Sequence, residues 1–534
     1  MSLFLPMNCR AISDCELRSV DYASVFFKTT ALAGALVLTG TLAAQDVSPP
    51  PPAIYLSLQD CILKALEQNR DLQIERLNPL IAGATLSAGY GVYDPLLTAD
   101  AQWSDTADSG GFDPADLSRD AIYQAKANTV VSGLTGLLPF GMTYQLGGTY
   151  ANSYGTRNTL DFESYNLRTA IAVRQPLLKN FWTDQSRLAI RVNKSDLKIT
   201  ELGVHYLTMS SISQVMQAYY ELVCSREQFQ AQERLRARKD QTCQAVRRKI
   251  ELGALSVLDE KLAQAQLARV DAALVTGSNL VVLAESALRA LMGGYSITNA
   301  TVRLVPLDGL GANPEHFDLQ ESCQRGLAHR PDLLQLKQDV EKAIATKRFR
   351  RNQLFPSLDL VAGYGRRGAS TQQVYPPDEA SASFSDAFEE IERGAAPNEM
   401  IGVIFSLPLS RTAERANYRA SQHLKDQAEL RVIQREELVI REITDALNTA
   451  RSCWNRIETT SQAVRWAQGA LADEEQKLAS GKSTLFFVLQ LQSDLAEAEA
   501  LEIRARGDYH KALAWLQFVD ASILQRQGVD LEVR

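Results

Sequence analysis

Apolar positions recur in steps of four and three along two long stretches of the chain. Leu188, Val192, Ser195, Ile199, Leu202, Tyr206 and Met209 mark one seam; Ile433, Glu436, Ile440, Ile443, Leu447, Ala450, Trp454 and Ile457 mark the other. This seven-residue rhythm keeps one stripe facing a neighbouring helix over many turns. It predicts long helices from about Asp184 to Glu251 and from about Thr412 to Ala479. At about 1.5 Å per residue each would reach about 100 Å, too long for a compact globule. A break follows each one, at Gly253 and at Gly481, and then a shorter helix, about Val257 to Met292 and about Leu485 to Asp520. Each half opens with another helix, roughly Leu58 to Gly91 and roughly Leu319 to Leu354. The two shorter helices of a half together match the long one. Stacked end to end, they would partner it along its whole length, as in a rod or the wall of a tube.

Between the opening and the long helix of each half the period changes to two. Leu97, Ala99, Ala101 and Trp103 alternate with Thr98, Asp100, Gln102 and Ser104. Leu358, Leu360, Ala362 and Tyr364 alternate with Ser357, Asp359, Gly363 and Gly365. Returning strands follow at Leu167, Thr169, Ile171 and Val173, and at Ile401, Val403, Phe405 and Leu407. Short segments with one apolar and one polar face suit a barrel in lipid around a wet lumen, and they also suit a half-buried sheet. Trp103 and Tyr364 close the apolar faces, where an aromatic belt would sit. Residues 122–151 hold a further alternating strand, Met142 to Tyr150, that either adds a hairpin to the wall or folds outside it. The acidic stretch from Gly368 to Glu399 reads as a hydrated loop.

The two halves are copies. Leu58, Gln59, Leu66, Asp71 and Leu72 fall on Leu319, Gln320, Leu327, Asp332 and Leu333, all 261 positions on, and Pro95 falls on Pro356. A second register, offset by 228, pairs Arg187 with Arg415, Gly253 with Gly481, Gln264 with Gln492 and Leu288 with Leu516. Duplication on this scale means one body built from two similar units. The domains are then a signal peptide at 1–44, a Pro-rich linker at 45–55, a first repeat at 56–310, a second at 311–522 and a tail at 523–534.

Charge and cysteine use narrow the class. A net charge of −7 gives no support for nucleic acid as a partner. Lys28 precedes the apolar run Ala31 to Leu42, and small residues follow, the order of a secretory signal and too short to span a membrane. Pro49 to Pro52 make a stiff extended linker. Five of the seven cysteines follow the signal, Cys61, Cys224, Cys243, Cys323 and Cys453, scattered over helical stretches in a pattern that is no disulfide framework. If the strands span a membrane, unpaired edges would leave backbone groups unsatisfied at several kcal/mol each, so the sheet must close. One chain offers four clear spanning strands, six if 122–151 contributes, and barrels of this kind need about eight or more. Several chains must therefore share one barrel; three copies of four strands would make twelve.

The order of these pieces resembles the TolC-like outer-membrane efflux family. The resemblance is carried by Leu56 to Gln73 and its copy around Arg330, Pro331 and Asp332, and by Tyr93-Asp94-Pro95 and Phe355-Pro356-Ser357. It continues through Arg174 to Leu178 and Ser406 to Leu409, and through the breaks Leu252 to Glu260 and Ser480 to Leu489. It implies an α+β membrane protein: a homotrimer with a 12-stranded outer-membrane β-barrel continued by a long periplasmic α-helical barrel. Its function would be that of a passive exit duct in an efflux or type I secretion system. It would work without a cofactor, in outer-membrane lipid, docked by a periplasmic adaptor and an inner-membrane pump of RND, ABC or MFS type. Pro95, Pro176, Pro356 and Pro408 would mark helix–strand junctions, since proline lacks an N–H and disfavours helix in the residue before it. The breaks would lie at the periplasmic tip, where an acidic residue six positions after the glycine helps form the constriction. Asp259 matches that position after Gly253; after Gly481 the position holds Phe487. Such a ring would filter ions by charge and gate by dewetting. Asp259 is equally an early-turn helix aspartate on the dipole.

No catalytic constellation appears. Gly481-Lys482-Ser483-Thr484 resembles the end of a phosphate-binding loop, but Gln476 stands where the pattern requires glycine. The five histidines are isolated, and none forms a metal-ligand pair. The rival to a channel is a periplasmic coiled-coil scaffold or adaptor that never enters a membrane.

Overall fold

The computed structural model describes residues 53–108, 112–113, 118–119, 123–157, 160–252, 256–293, 302–372 and 382–529. The signal read at 1–44 and the prolines Pro49 to Pro52 lie outside them. Strand β1 (Ala53–Leu56) begins inside the span read as linker, and helices α1 (Leu58–Gln68), α2 (Arg70–Glu75) and α3 (Leu77–Tyr90) follow. Then come β2 (Leu96–Asp108), the two-residue pair β3 (Phe112–Asp113) and β4 (Ser118–Arg119), and three long strands, β5 (Tyr123–Leu137), β6 (Thr143–Arg157) and β7 (Leu160–Pro176). Helices α4 (Gln185–Glu251) and α5 (Val257–Met292) close the half. After the short strand β8 (Arg303–Pro306), the second half runs α6 (Leu319–His329), α7 (Pro331–Asn352), β9 (Ser357–Thr371), α8 (Phe384–Arg393) and β10 (Pro397–Ser406). It ends with α9 (Thr412–Ala479), α10 (Leu485–Val519) and α11 (Ile523–Arg526).

The seam periodicity located the long helices to within a residue. The Asp184 side chain starts α4 by accepting from the Arg187 N–H at 2.8 Å, one of the orphan donors of the first turn. At the other end of α9, Gly481 takes φ +75°, which lets Lys482 N–H reach back to the Lys477 carbonyl at 2.9 Å. That is the left-handed turn by which helices commonly stop, and it is why a glycine ends the period here. The segment that mimics a phosphate loop is thus a helix terminus, with Ser483 donating to Glu474.

The opening helices are not continuous. Asn69 leaves the helical region (φ −63°, ψ 121°), and its side chain accepts from Asp71 N–H at 2.9 Å and Leu72 N–H at 3.3 Å. In the copy the backbone of Arg330 leaves the helical region likewise (φ −66°, ψ 120°), with no side-chain cap, before Pro331, whose ring favours extended backbone in the residue ahead of it. Apolar spacing survives such a break, so periodicity alone ran the segments together.

Helix α4 packs against α5 and α10 along one part and against α3 and α7 along the other; α9 is partnered by α10 and by α6 and α7. The two halves share one core at mid-length, where Tyr219, Met216 and Leu288 meet Val439, Ile443 and Phe518. The parallel pairing of β1 with β8 adds Leu56 and Leu304 to that core. Length and apolar composition would let α5 cross a membrane, alone among the described residues, but it is a partner of α4 and starts on Asp259 and Glu260.

One antiparallel sheet holds six strands in the order β10-β9-β7-β6-β5-β2. Segment 122–151 therefore supplies wall strands, since β5 and β6 sit inside the sheet between β2 and β7. Of the two counts the sequence left open, four strands per chain or six with 122–151, this sheet holds six. Turn residues Leu138 to Gly141 join β5 to β6, with Leu138 N–H on the Met142 carbonyl at 2.8 Å. The acidic stretch before β10 is also more than a hydrated loop, because α8 lies within it and packs on β9 and β7.

Candidate functional site

Register and alternation sort the sheet into two faces. Leu97, Leu134, Leu146, Ile171 and Tyr364 are successive partners across β2, β5, β6, β7 and β9, so their side chains share one side. The row above, Ala101, Val130, Tyr150 and Leu167, points the same way. On β10 this face continues through Ile401, Val403 and Phe405, all exposed. The opposite face carries Asp100, Val131, Thr149, Arg168 and Arg367 in one row, polar but for the valine. Near its base the Arg174 Nε donates to Asp359 Oδ2 at 3.0 Å. An apolar outer skin and a polar inner one are what a wall between hydrocarbon and a wet lumen requires. In the inserted hairpin β6 follows the same division near its base, with Tyr144, Leu146 and Tyr150 against Thr143, Gln145 and Thr149, whereas β5 sets Lys126, Asn128 and Ser132 beside Val130 and Leu134 and turns Val131 to the other face.

Each predicted junction proline sits where helix gives way to strand or strand to helix. Pro95 lies between the turn Gly91–Tyr93 and β2, Pro356 between α7 and β9, and Pro176 is the last residue of β7. Pro408 follows β10 and precedes Arg411, which takes φ 47° and donates from Nη1 to the Leu354 carbonyl at 2.7 Å. A lock between the halves was not foreseen. Asn352 accepts from Asn180 N–H at 2.7 Å and donates to the Leu178 carbonyl at 3.2 Å, while Gln353 donates to Asn180 Oδ1 at 2.7 Å. The same junction exposes Phe181, Trp182 and Phe355. Only the aromatic residues themselves could have signalled this cluster, because they occupy no matching repeat positions.

At the far end of the long helices Gly253 lies outside the described residues. Asp259 is the third residue of α5, and its Oδ2 accepts from the Ser256 N–H at 3.0 Å, closing a capping box. The aspartate therefore has the helix-start role expected of its position. Phe487 stands in the first turn of α10 with its ring 5.8 Å from that of Phe486, centre to centre. Both rings are exposed, as are Val257 and Leu258 in the other copy and Leu252, at 84%. Sequence reasoning named Phe487 and missed its apolar neighbours.

The chain matches the outer membrane efflux protein family over residues 147–294 and 323–521. It belongs to that family. The match takes in most of the sheet and both long helices with their shorter partners. The Escherichia coli outer membrane protein TolC is 24% identical over 405 residues, covering 73% of this chain and 75% of that protein. The Campylobacter jejuni outer-membrane channel CmeC superposes with a TM-score of 0.60 at 15% identity over 89% of this chain and 90% of that one. The Vibrio cholerae outer membrane protein VceC gives 0.60 at 16% identity over 87% and 95%. Members of the family are outer-membrane efflux channels and not enzymes, with the helical part in the periplasm, and this chain has their fold. The reading as a membrane-free scaffold or adaptor therefore falls: such a protein has no use for a six-stranded sheet with a bare apolar face.

Proposed function

We propose that three copies of this chain close a single eighteen-stranded wall in the outer membrane and form the exit duct of a tripartite efflux or type I secretion assembly. The observation that carries this is the pair of free edges, β2 and β10, on a sheet whose outer face is apolar. In hydrocarbon those edges would leave a row of N–H and C=O groups unpaired at several kcal/mol each. Since β2 and β10 run in opposite directions, β10 of one copy meets β2 of the next as one more antiparallel pair. An adaptor in the periplasm and a pump in the inner membrane, of RND, ABC or MFS type, supply docking and energy.

The aromatic belt fits this wall. Tyr364 shares a ladder row with Leu97, and Trp103 stands six residues further along β2. That is about 20 Å along a strand against about 19 Å across four strand spacings, so a tilt of about 45° brings the two rings to one height. The exposed Phe181, Trp182 and Phe355 make the opposite girdle at the junction side.

At the periplasmic tip, three Asp259 carboxylates and three Phe487 rings form the constriction, with Leu258 and Phe486 as apolar neighbours. Their support is their repeat-equivalent placement at the starts of α5 and α10. Single-channel recording in planar bilayers tests the whole reading. The protein should form cation-selective pores, and Asp259→Ala should move the reversal potential toward that of an unselective pore. Absence of any pore would end the duct reading; unchanged selectivity would end the acidic ring alone.

A further inference from the structure

Helix α8 lies on the outside of the wall. Its apolar positions Phe384, Ala387, Phe388 and Ile391 follow the spacing of one helical stripe. The Phe384 ring meets that of Tyr150 edge-on at 5.7 Å, and the Ile391 carbonyl accepts from Arg366 Nη1 at 3.2 Å. Seating is close: a Cβ on Gly368 would come to 1.8 Å from the Ala387 carbonyl oxygen. Tyr150, Arg366 and Gly368 all belong to the apolar face. Leu167 and Asn152, both on this face, are buried, although most of its large apolar residues are open.

Half of each phenyl ring nevertheless remains uncovered, 48% of Phe384 and 46% of Phe388, with the rings stacked at 6.1 Å. The other side of the helix carries Asp386, Glu389, Glu392 and Arg393, so its polar arc needs water or headgroups. With strands tilted by about 45°, the points where α8 touches the wall lie within about 10 Å above the line joining Trp103 and Tyr364. A helix with one apolar and one charged side at that height lies in the plane of an interface.

We infer that α8 is an interfacial collar helix, its Phe384 and Phe388 rings set among the acyl chains of the outer leaflet just below the headgroups. Three copies would ring the trimer and fix its depth in the leaflet. The inference rests on the apolar sheet face meeting lipid. The uncovered rings continue that face, and hydrocarbon is the occupant it already has.

Bromine quenching of tryptophan separates the two statements. The full-length chain would be placed in phosphatidylcholine vesicles with bromines either near the carboxyl end of the acyl chains or near their methyl end. Native Trp103, read as the difference from Trp103→Phe, reports whether the sheet face meets lipid. Phe388→Trp in the Trp103→Phe background reports on α8. The expected result is a loss of the added emission several-fold larger with bromines near the carboxyl end, and relieved by Gly368→Ala, which unseats the helix. Emission insensitive to both lipids but quenched by aqueous iodide would overturn the collar, even with Trp103 quenched. Loss of Trp103 quenching would instead overturn the lipid face. If Phe388→Trp fails to assemble, Phe384→Trp carries the same test.

Discussion

Lys239 is the buried cation of the lower helices, 1% exposed, with Nζ donating to the Leu489 carbonyl at 2.6 Å and to Ser493 Oγ at 3.0 Å. Burial drives its pKa down to about 8, with Asp494 pulling the other way. Because the folded value lies below the unfolded one of about 10.4, the fold bears a penalty below pH 8 that is relieved as the pH rises between the two values. Lys239→Met keeps the length and drops the charge. It should raise the thermal midpoint most below pH 8, with the gain shrinking toward pH 10; a gain independent of pH would show that desolvation is not the cause. Arg330 presents the opposite case, a buried charge with partners. It binds Asp332 through two nitrogens at 3.0 and 2.9 Å and Glu442 at 2.6 Å, and Arg435 joins both carboxylates. Burial opposes ionisation of Asp332, and the two guanidiniums outweigh it, holding the pKa below the usual carboxylate range. Its contribution is thus present at neutral pH and lost as the pH falls below about 4. Asp332→Asn leaves Arg330 underpaired and should cost about 3 kcal/mol at neutral pH in denaturant unfolding of the solubilised chain. The cost should fade in acid. Sequence showed Arg330, Pro331 and Asp332 as repeat landmarks, but Arg435 and Glu442 lie on another helix and no spacing rule links them.

Elements were legible in proportion to their length. A seam sustained over many turns left no alternative to α4 and α9, and the cap at Asp184, the first turn at Thr412 and the stop at Gly481 fell where the period ended. Breaks inside the opening helices were hidden, because Asn69 and Arg330 interrupt the backbone without disturbing the apolar face. Asn69 does more than cap: its Nδ2 donates to the Leu291 carbonyl at 3.0 Å, joining α2 to the end of α5. Asn69→Ala should cost about 1–2 kcal/mol, one lost helix cap plus one part-buried hydrogen bond. Hydrogen exchange should show faster opening at Asp71 and Leu72 than in the long helices; unchanged protection there would mean that packing alone holds the bend. Helix α8 was missed for a different reason. Its acidic residues read as solvated loop, and its four apolar positions make sense only against Gly368 and against Tyr150, far away in sequence. The hairpin β5–β6 was half visible, since Met142 to Tyr150 alternates cleanly, while its partner strand mixes Gly, Ser and Thr with Val on both faces.

For the whole assembly, the placement of that hairpin decides the width of the duct. Were β5 and β6 at an edge, they could peel away and leave four strands per chain. They lie instead between β2 and β7, paired to both along their length, so their removal would open a gap in the middle of the sheet. Their apolar residues Val130, Leu134 and Leu146 also fall in rows with those of the flanking strands. Barrel diameter grows roughly in proportion to strand number at a given tilt. At about 4.8 Å between strands and a tilt of about 45°, twelve strands close at about 26 Å across and eighteen at about 39 Å. The lumen of this chain should therefore have about twice the cross-section of a twelve-stranded one. The helical part below gains nothing from the hairpin, so the widening is confined to the sheet. Electron cryomicroscopy of the trimer in lipid nanodiscs measures the wall directly. A ring of about 39 Å is expected, and one of about 26 Å would mean that the hairpin leaves the wall when neighbouring chains are present. Excising residues 123–157 supplies the complementary check, because β2 would then have to find β7 unaided. Loss of the heat-modifiable trimer is the outcome that six strands per chain require, whereas a trimer of normal yield would show that the four remaining strands suffice.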